Sequence, residues 1–210
     1  MPIITLTTDF GEQDGYVAAM RGVILGLTPH ATLVDVSHAV APGAIRQGAY
    51  VLATAAPYFP ADTVHVAVVD PGVGSARRPL LLRTPAGLFV GPDNGLLTET
   101  ARLAWGEAAR GEAYHLNRPA TWRPLVSATF HGRDIFAPVG AHLAAGAALE
   151  EAGREIDPGS LVGLDLPRAK VGKGCITAHV LKADGFGNAT LDATADDLEA
   201  AGLAGASGLT

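Results

Sequence analysis

The chain has 210 residues, 48% of them hydrophobic and 17% charged, and a formal net charge of −6. That balance fits a soluble globular protein with a full core and argues against sequence-independent nucleic-acid binding, which needs a basic surface. A single cysteine, Cys175, excludes an internal disulfide. Cys175 lies in the apolar stretch CITAHVL and reads as a buried strand residue rather than a nucleophile. MPIITLTTDF has no basic leader region, and no apolar run reaches the length of a membrane span, so the expectation is a cytoplasmic protein with no membrane or nucleic-acid partner.

In chain order, IITLTT (3–8) is a β-rich run that ends at Asp9. YVAAMRGVILGL (16–27) carries Tyr16, Val17, Met20, Val23, Ile24 and Leu27 at helical spacing, with Asp14 placed to cap it. TLVDVS (32–37) is a second strand and GAIRQGAYVLATAAPYF (43–59) a second helix, ended by Pro60. TVHVAVVD (63–70) is almost wholly apolar, as a strand buried on both faces would be. Strand, helix, strand, helix, strand implies parallel pairing.

PLLLRT (79–84) and LFVGPD (88–93) are further strands around a Pro-Ala-Gly turn. LLTETARLAW (96–105) is helical, AYHLN (113–117) a short strand, and RDIFAPVGAHLAAGA (133–147) a helix that Pro138 kinks or resets. The expected fold class is α/β: an N-terminal α/β domain (1–160) with a mainly parallel sheet flanked by helices. A Pro/Gly-marked linker (161–169) and the start of a smaller C-terminal β domain (170–210) follow, the latter built from hairpins around 184–188.

In open α/β sheets the working groups lie just past the carboxyl ends of the strands. The first strand ends at Asp9 and the third at Asp70, so two carboxylates face one crevice. DPGVGSARR (70–78) allows a tight loop but is neither a dinucleotide fingerprint, since Arg77 stands where the last glycine belongs, nor a Walker loop. The seven histidines include no HxH or HxxxH pair, so a ready-made zinc site is missing. His131, in SATFHGRDIFAP (127–138), needs partners. An Asp and an Arg that converge on it would orient it and hold an anion. Set against this, Asp9 and Asp14 also suit helix caps, Asp70 a turn before proline, Arg77 and Arg78 solvated surface positions, and His131 a helix cap.

Six blocks occur in order: TLTTDFG…DGYVAAMRGVI (5–24), LVDVSH (33–38), VAVVDPGVGSARRPL (66–80), VGPDNGLL (90–97), SATFHGRDIFAP (127–138) and DGFGN (184–188). Together they resemble the S-adenosyl-L-methionine hydroxide adenosyltransferases, hydrolytic relatives of the fluorinase and chlorinase enzymes. The resemblance implies attack of water or hydroxide on the 5′ carbon of S-adenosyl-L-methionine, giving adenosine and L-methionine, with no metal and no cofactor. It implies a catalytic set of Asp70, Arg77 and His131. Chemically, His131 steered by Asp70 can accept or relay a proton and Arg77 can stabilise hydroxide, while which of the three takes the proton stays open.

The same resemblance puts Asp9 on the ribose hydroxyls and Asp14 on the methionine amino group. Thr129 and Phe130 form the wall around the nucleophile, Phe186 and Asn188 contact adenine, and Asp184 lies near the methionine end. His131-Gly132 with Asp70 matches the hydrolytic pattern, so water rather than halide is expected. Family members form homotrimers with sites at subunit interfaces and carry a longer C-terminal domain, which Thr210 would interrupt.

Two alternatives differ in class. A metal-dependent nucleotide phosphohydrolase would draw oxygen ligands from Asp9, Asp70, Asp93 and Asp134, although Arg77 and Arg133 would compete with the cation. A non-catalytic S-adenosyl-L-methionine or adenosine binding module would have no need of Asp70, Arg77 and His131 together.

Overall fold

The structure, a computed structural model, describes residues 1–106, 111–165, 168–183 and 185–205. It divides into two compact units, Met1–Leu164 and Asp165–Thr210.

The first unit is built on a seven-stranded sheet. In chain order its strands are β1 (Ile3–Thr8), β2 (Thr32–Ser37), β3 (Val64–Val68), β4 (Pro79–Thr84), β5 (Gly87–Pro92), β6 (Ala113–His115) and β7 (Arg154–Ile156). Their order across the sheet is β2-β1-β3-β5-β4-β6-β7. β1 pairs in parallel with both β2 and β3, and β3 with β5, while β4 runs antiparallel to β5 and β6, and β7 antiparallel to β6. β2, β1, β3, β5 and β6 therefore share one direction, and the sheet is mainly parallel, as expected. The helices are α1 (Tyr16–Leu27), α2 (Ile45–Ala55), α3 (Leu96–Trp105), α4 (Ala137–Ala144) and the single turn α5 (Leu149–Ala152).

Side-chain alternation along the strands separates two cores. Val64, Val66 and Val68 of β3 and Leu81 of β4 face one side, with Met20 and Ile24 of α1 and Val139 of α4. Ala67, Leu80 and Leu82 face the other, with Leu52 of α2 and Leu96 and Leu97 of α3. A period of two with both faces apolar is what a sheet covered on both sides requires. β7 and α5 were not anticipated, because three or four residues carry too little periodicity to stand out. α1 begins after Gly15 with no side-chain cap, so Asp14 does not cap it.

The second unit has two antiparallel pairs, β8 (Lys170–Gly172) with β9 (Cys175–Thr177) and β10 (Val180–Ala183) with β11 (Ala189–Leu191), and a helix α6 (Ala195–Ala200). Cys175 does sit on a strand, but it is exposed rather than buried. Cys175 lies on a three-residue strand of a two-stranded sheet, which is too small to bury it by itself. α6 is closed by a capping box between Thr194 and Asp197. The signal for that box, TADD at 194–197, was present in the sequence.

Candidate active site

The chain runs from β1 to β2 on one side and from β3 to β4 and β5 on the other, so a crevice opens past the carboxyl ends of β1 and β3. Thr8 pairs with Val68, which sets Asp9 and the Val69-Asp70 step side by side. A cleft of about 510 Å³ opens there, lined among others by Asp9, Asp70, Thr129, Phe130 and His131. That volume lies within the ~300–1,000 Å³ of small-molecule sites.

The loop after β3 is tight. The Asp70 carbonyl accepts the Val73 N–H at 3.2 Å, and Gly72 O accepts the Ser75 N–H at 3.1 Å. Gly74 has φ +78°, and a Cβ there would lie 2.5 Å from the Ala128 carbonyl oxygen. Only glycine allows that conformation together with that approach. The approach brings Arg77 to the loop that carries His131.

Arg77 is the hub of the set. Its Nε donates to Asp70 Oδ1 at 3.0 Å and Oδ2 at 2.9 Å, and its Nη2 also pairs with Asp70 Oδ2. The same Nη2 lies 2.7 Å from His131 Nδ1. The side chains of Arg77 and Asp70 are 9% and 4% exposed, so this is a desolvated pair and not a solvated surface arginine. The order is Asp70–Arg77–His131, so Asp70 reaches the histidine through Arg77.

A guanidinium has no lone pair to offer, so His131 Nδ1 must accept and the neutral ring carries its proton on Nε2. Burial, and then the Arg77 charge, press the His131 pKa below its ordinary value, against a weaker upward pull from Asp70 and Asp134. His131 heads a π-helical turn, Gly132–Phe136, without capping it through its side chain, and α4 continues from Ala137 with Pro138 in its first turn. Pro138 thus resets the helix rather than kinking it.

Asp134 anchors this loop from behind. It is fully buried, accepts the Ser127 N–H at 2.9 Å, and takes both Arg133 Nε (2.6 Å) and Arg133 Nη2 (2.8 Å). Burial pushes its carboxyl up, but the bonds from Arg133 and Ser127 outweigh this and hold it below the usual carboxylate range. The Arg133 guanidinium lies 4.9 Å from the Phe130 ring centroid. Phe130 meets Tyr16 and Phe10 edge-on, at 5.2 and 5.8 Å between centroids.

Asp9 accepts the Gly43 N–H at 2.7 Å, on a glycine with φ +70°. Asp14 is exposed and is not among the residues lining the cleft. Phe186 and Asn188 lie in the turn between β10 and β11, in the second unit, both exposed. Asp184 lies outside the described residues. Phe10, Tyr16 and Gly43 were not singled out as site residues. Their signals were modest: aromatics beside DFG and DGY, and a Pro-Gly pair soon after β2.

Three of the four carboxylates that a divalent ion would need are held by arginines. Asp93 binds Arg78 Nε at 2.8 Å and Val162 N–H at 3.0 Å, Asp134 holds Arg133, and Asp70 holds Arg77. Among the described residues no group of three or more His, Cys, Asp or Glu is placed to hold a metal ion.

Residues 4–153 match the family model described as the SAM hydroxide adenosyltransferase N-terminal domain. The chain belongs to this family. A member from Salinispora arenicola named (R)-S-adenosyl-L-methionine hydrolase is 52% identical over 94% of this chain and 74% of its own. A fluorinase from an Actinoplanes species is 30% identical over 96% of this chain and 75% of its own. Among solved structures, an uncharacterized conserved protein from Thermotoga maritima superposes with a TM-score of 0.82 at 36% identity, covering 90% of this chain and 70% of that one. The family's hydrolytic branch is thus nearer in sequence than the fluorinase, in line with the His131-Gly132 pattern. Among the described residues no helix is long and apolar enough to cross a membrane.

Proposed function

We propose that this chain hydrolyses S-adenosyl-L-methionine to adenosine and L-methionine, with Asp70, Arg77 and His131 handling the water. The observation that supports it most is the desolvated Asp70–Arg77–His131 chain at the cleft, in a protein 52% identical to a named (R)-S-adenosyl-L-methionine hydrolase. The water oxygen bonds to the 5′ carbon as the carbon–sulfur bond breaks. The electron pair of that bond goes to sulfur, which leaves as a neutral thioether, so no general acid is needed. One proton must leave the attacking water.

Arg77 fixes His131 with its proton on Nε2, so the histidine donates a hydrogen bond to the nucleophile and aims a lone pair at the carbon. The sequence left open which of Asp70, Arg77 and His131 takes the proton. Asp70, on the cleft wall, is the carboxylate that takes the proton in this reading. Holding the nucleophile in line, away from bulk water and opposite a sulfonium, supplies the remaining advantage.

Asp9 grips the ribose hydroxyls, since a carboxylate accepts two O–H bonds at once. Thr129 and Phe130 wall the nucleophile, while Asp14 and Asp184 serve the methionine end and Phe186 and Asn188 the adenine. Operation without metal or cofactor, a homotrimer and a cytoplasmic location belong to the same proposal, and sedimentation of the purified protein tests the trimer.

The deciding experiment incubates purified protein with S-adenosyl-L-methionine in chelator-treated, halide-poor buffer, with a chloride-supplemented arm, and follows products by chromatography. Equimolar adenosine and methionine, unaffected by chelator, is the expected result. A requirement for metal, or 5′-chloro-5′-deoxyadenosine in the chloride arm, overturns it.

A further inference from the structure

His38 is 3% exposed, and the proposed reaction makes no use of it. It follows β2 and stands beside the end of β1. Its Nδ1 lies 2.8 Å from Thr8 Oγ1, and that same oxygen accepts the Phe10 N–H at 3.3 Å. The His38 carbonyl accepts the Gly11 N–H at 2.9 Å. His38 Nε2 lies 3.0 Å from Asp35 Oδ1, and the other Asp35 oxygen pairs with Arg21. One residue therefore holds the chain on both sides of Asp9, through Thr8 before it and through Phe10 and Gly11 after it.

The protons fall into a single consistent arrangement. A ring nitrogen 3.0 Å from a carboxylate oxygen must carry a proton, or two lone pairs would face each other, so Nε2 is protonated. The contact is off-line for a hydrogen bond, and Asp35 acts on it by charge. Nδ1 then accepts the Thr8 hydroxyl proton, which leaves Thr8 Oγ1 to accept from Phe10. In a buried setting such a chain holds its members in one geometry, because each broken link strands a polar group. The members at its end are the cleft residues: Asp9, with its carboxylate on Gly43, and Phe10, with its ring against Phe130.

We propose that His38, backed by Asp35, is a positioning residue for Asp9 and Phe10, and so sets affinity for the nucleoside part of the substrate rather than the rate of the chemical step. This rests on the reading of the cleft as an S-adenosyl-L-methionine site. The test uses Thr8→Val, which keeps the shape and removes the hydroxyl link, and Asp35→Asn, which keeps the shape and removes the charge. KM and kcat for S-adenosyl-L-methionine, Kd for adenosine by calorimetry, and the unfolding midpoint are measured for both.

The expected result for Thr8→Val is a rise of about fivefold in KM and in adenosine Kd, the size of one lost buried hydrogen bond, and for Asp35→Asn a smaller rise in both, with kcat unchanged in each. In an Asp9→Asn background Thr8→Val then costs less than in the wild type, because part of its effect runs through Asp9 and the rest through Phe10. A purely structural role would lower the unfolding midpoint while leaving KM and Kd alone. That result, or an equal cost of Thr8→Val in both backgrounds, overturns the inference. A wild-type protein that neither turns over S-adenosyl-L-methionine nor binds adenosine overturns the functional reading itself, and this inference with it.

Discussion

Arg77 and Arg78 are consecutive, and they serve two different regions. Arg77 turns to the cleft, where it joins Asp70 to His131. Arg78 turns away, binds Asp93, and donates to the Ser160 carbonyl at 2.6 Å, while Asp93 takes the Val162 N–H. The first arginine orders a group that faces a ligand. The second clasps the end of β5 to the 158–162 turn. The two lie just ahead of β4 and their side chains reach different carboxylates, Asp70 and Asp93, so one dipeptide serves both places. Neither arginine is the solvated surface residue that the sequence equally allowed. The lesson is that an Arg-Arg pair next to a strand is defined by which carboxylates wait on each face.

The largest effect that breaks the comparison is expected at the cleft. Arg77→Lys keeps the charge but cannot fork to Asp70 and reach His131 together, and kcat should fall by about 10²-fold or more with the unfolding midpoint little changed. Arg78→Lys should leave kcat as it is. Steady-state kinetics with thermal unfolding of both variants separates the regions, and equal kcat losses would erase the distinction. His131→Ala and Asp70→Asn belong with Arg77→Lys, at about 10²–10⁴-fold in kcat.

A pH background must be removed before the two regions are compared for stability. His65 is fully buried, bonded to Thr5 Oγ1 at 2.8 Å and stacked on Phe89 at 4.5 Å, and burial lowers its pKa to about 4. The unfolded chain binds that proton from about pH 6.5 downward and the folded chain does not until about 4, so stability falls as pH drops through that window. The loss amounts to about 3 kcal/mol at about 1.4 kcal/mol per unit. Urea titrations at pH 7 and pH 4.5 should show it, and His65→Gln should flatten it.

Asp93→Ala is the counterpart of the cleft variants. It leaves Arg78 and the Val162 N–H without their acceptor, and should cost about 2 kcal/mol in urea unfolding with kcat of the folded protein retained. The smallest effect concerns His131. Its titration midpoint, followed by NMR, should lie below 6.5 and rise in Arg77→Gln, because the guanidinium is one of the two influences that lower it. An unchanged midpoint would show that the guanidinium is not one of the influences that lower it.

Much of the first unit was legible because its elements are long and patterned. β1, β2, α1, β4 and α3 match the segments read from periodicity, since one apolar stripe or one alternation admits few alternatives. β7, α5 and α6 were not, because short elements are defined by their neighbours or by a cap rather than by a repeat. Cys175 was misplaced for a related reason: apolar neighbours in sequence do not bury a residue on a three-residue strand of a two-stranded sheet.

The sequence alone determined the chemistry on offer. It put carboxylates after β1 and β3, a glycine-rich turn between Asp70 and Arg77, and a histidine ahead of Arg133 and Asp134. The ordered motif blocks were enough to point to the family. Tertiary structure decided how those groups connect. That Arg77 stands between Asp70 and His131 follows from Gly74 meeting the Ala128 carbonyl, a contact between loops some fifty residues apart. The protonated nitrogen of His131 is set by a donor reaching it through that contact. The role of His38 depends on β1 and β2 ending side by side. Hydrogen bonds select geometry over distances of about 3 Å, and only the folded chain brings residues so far apart in sequence within that range.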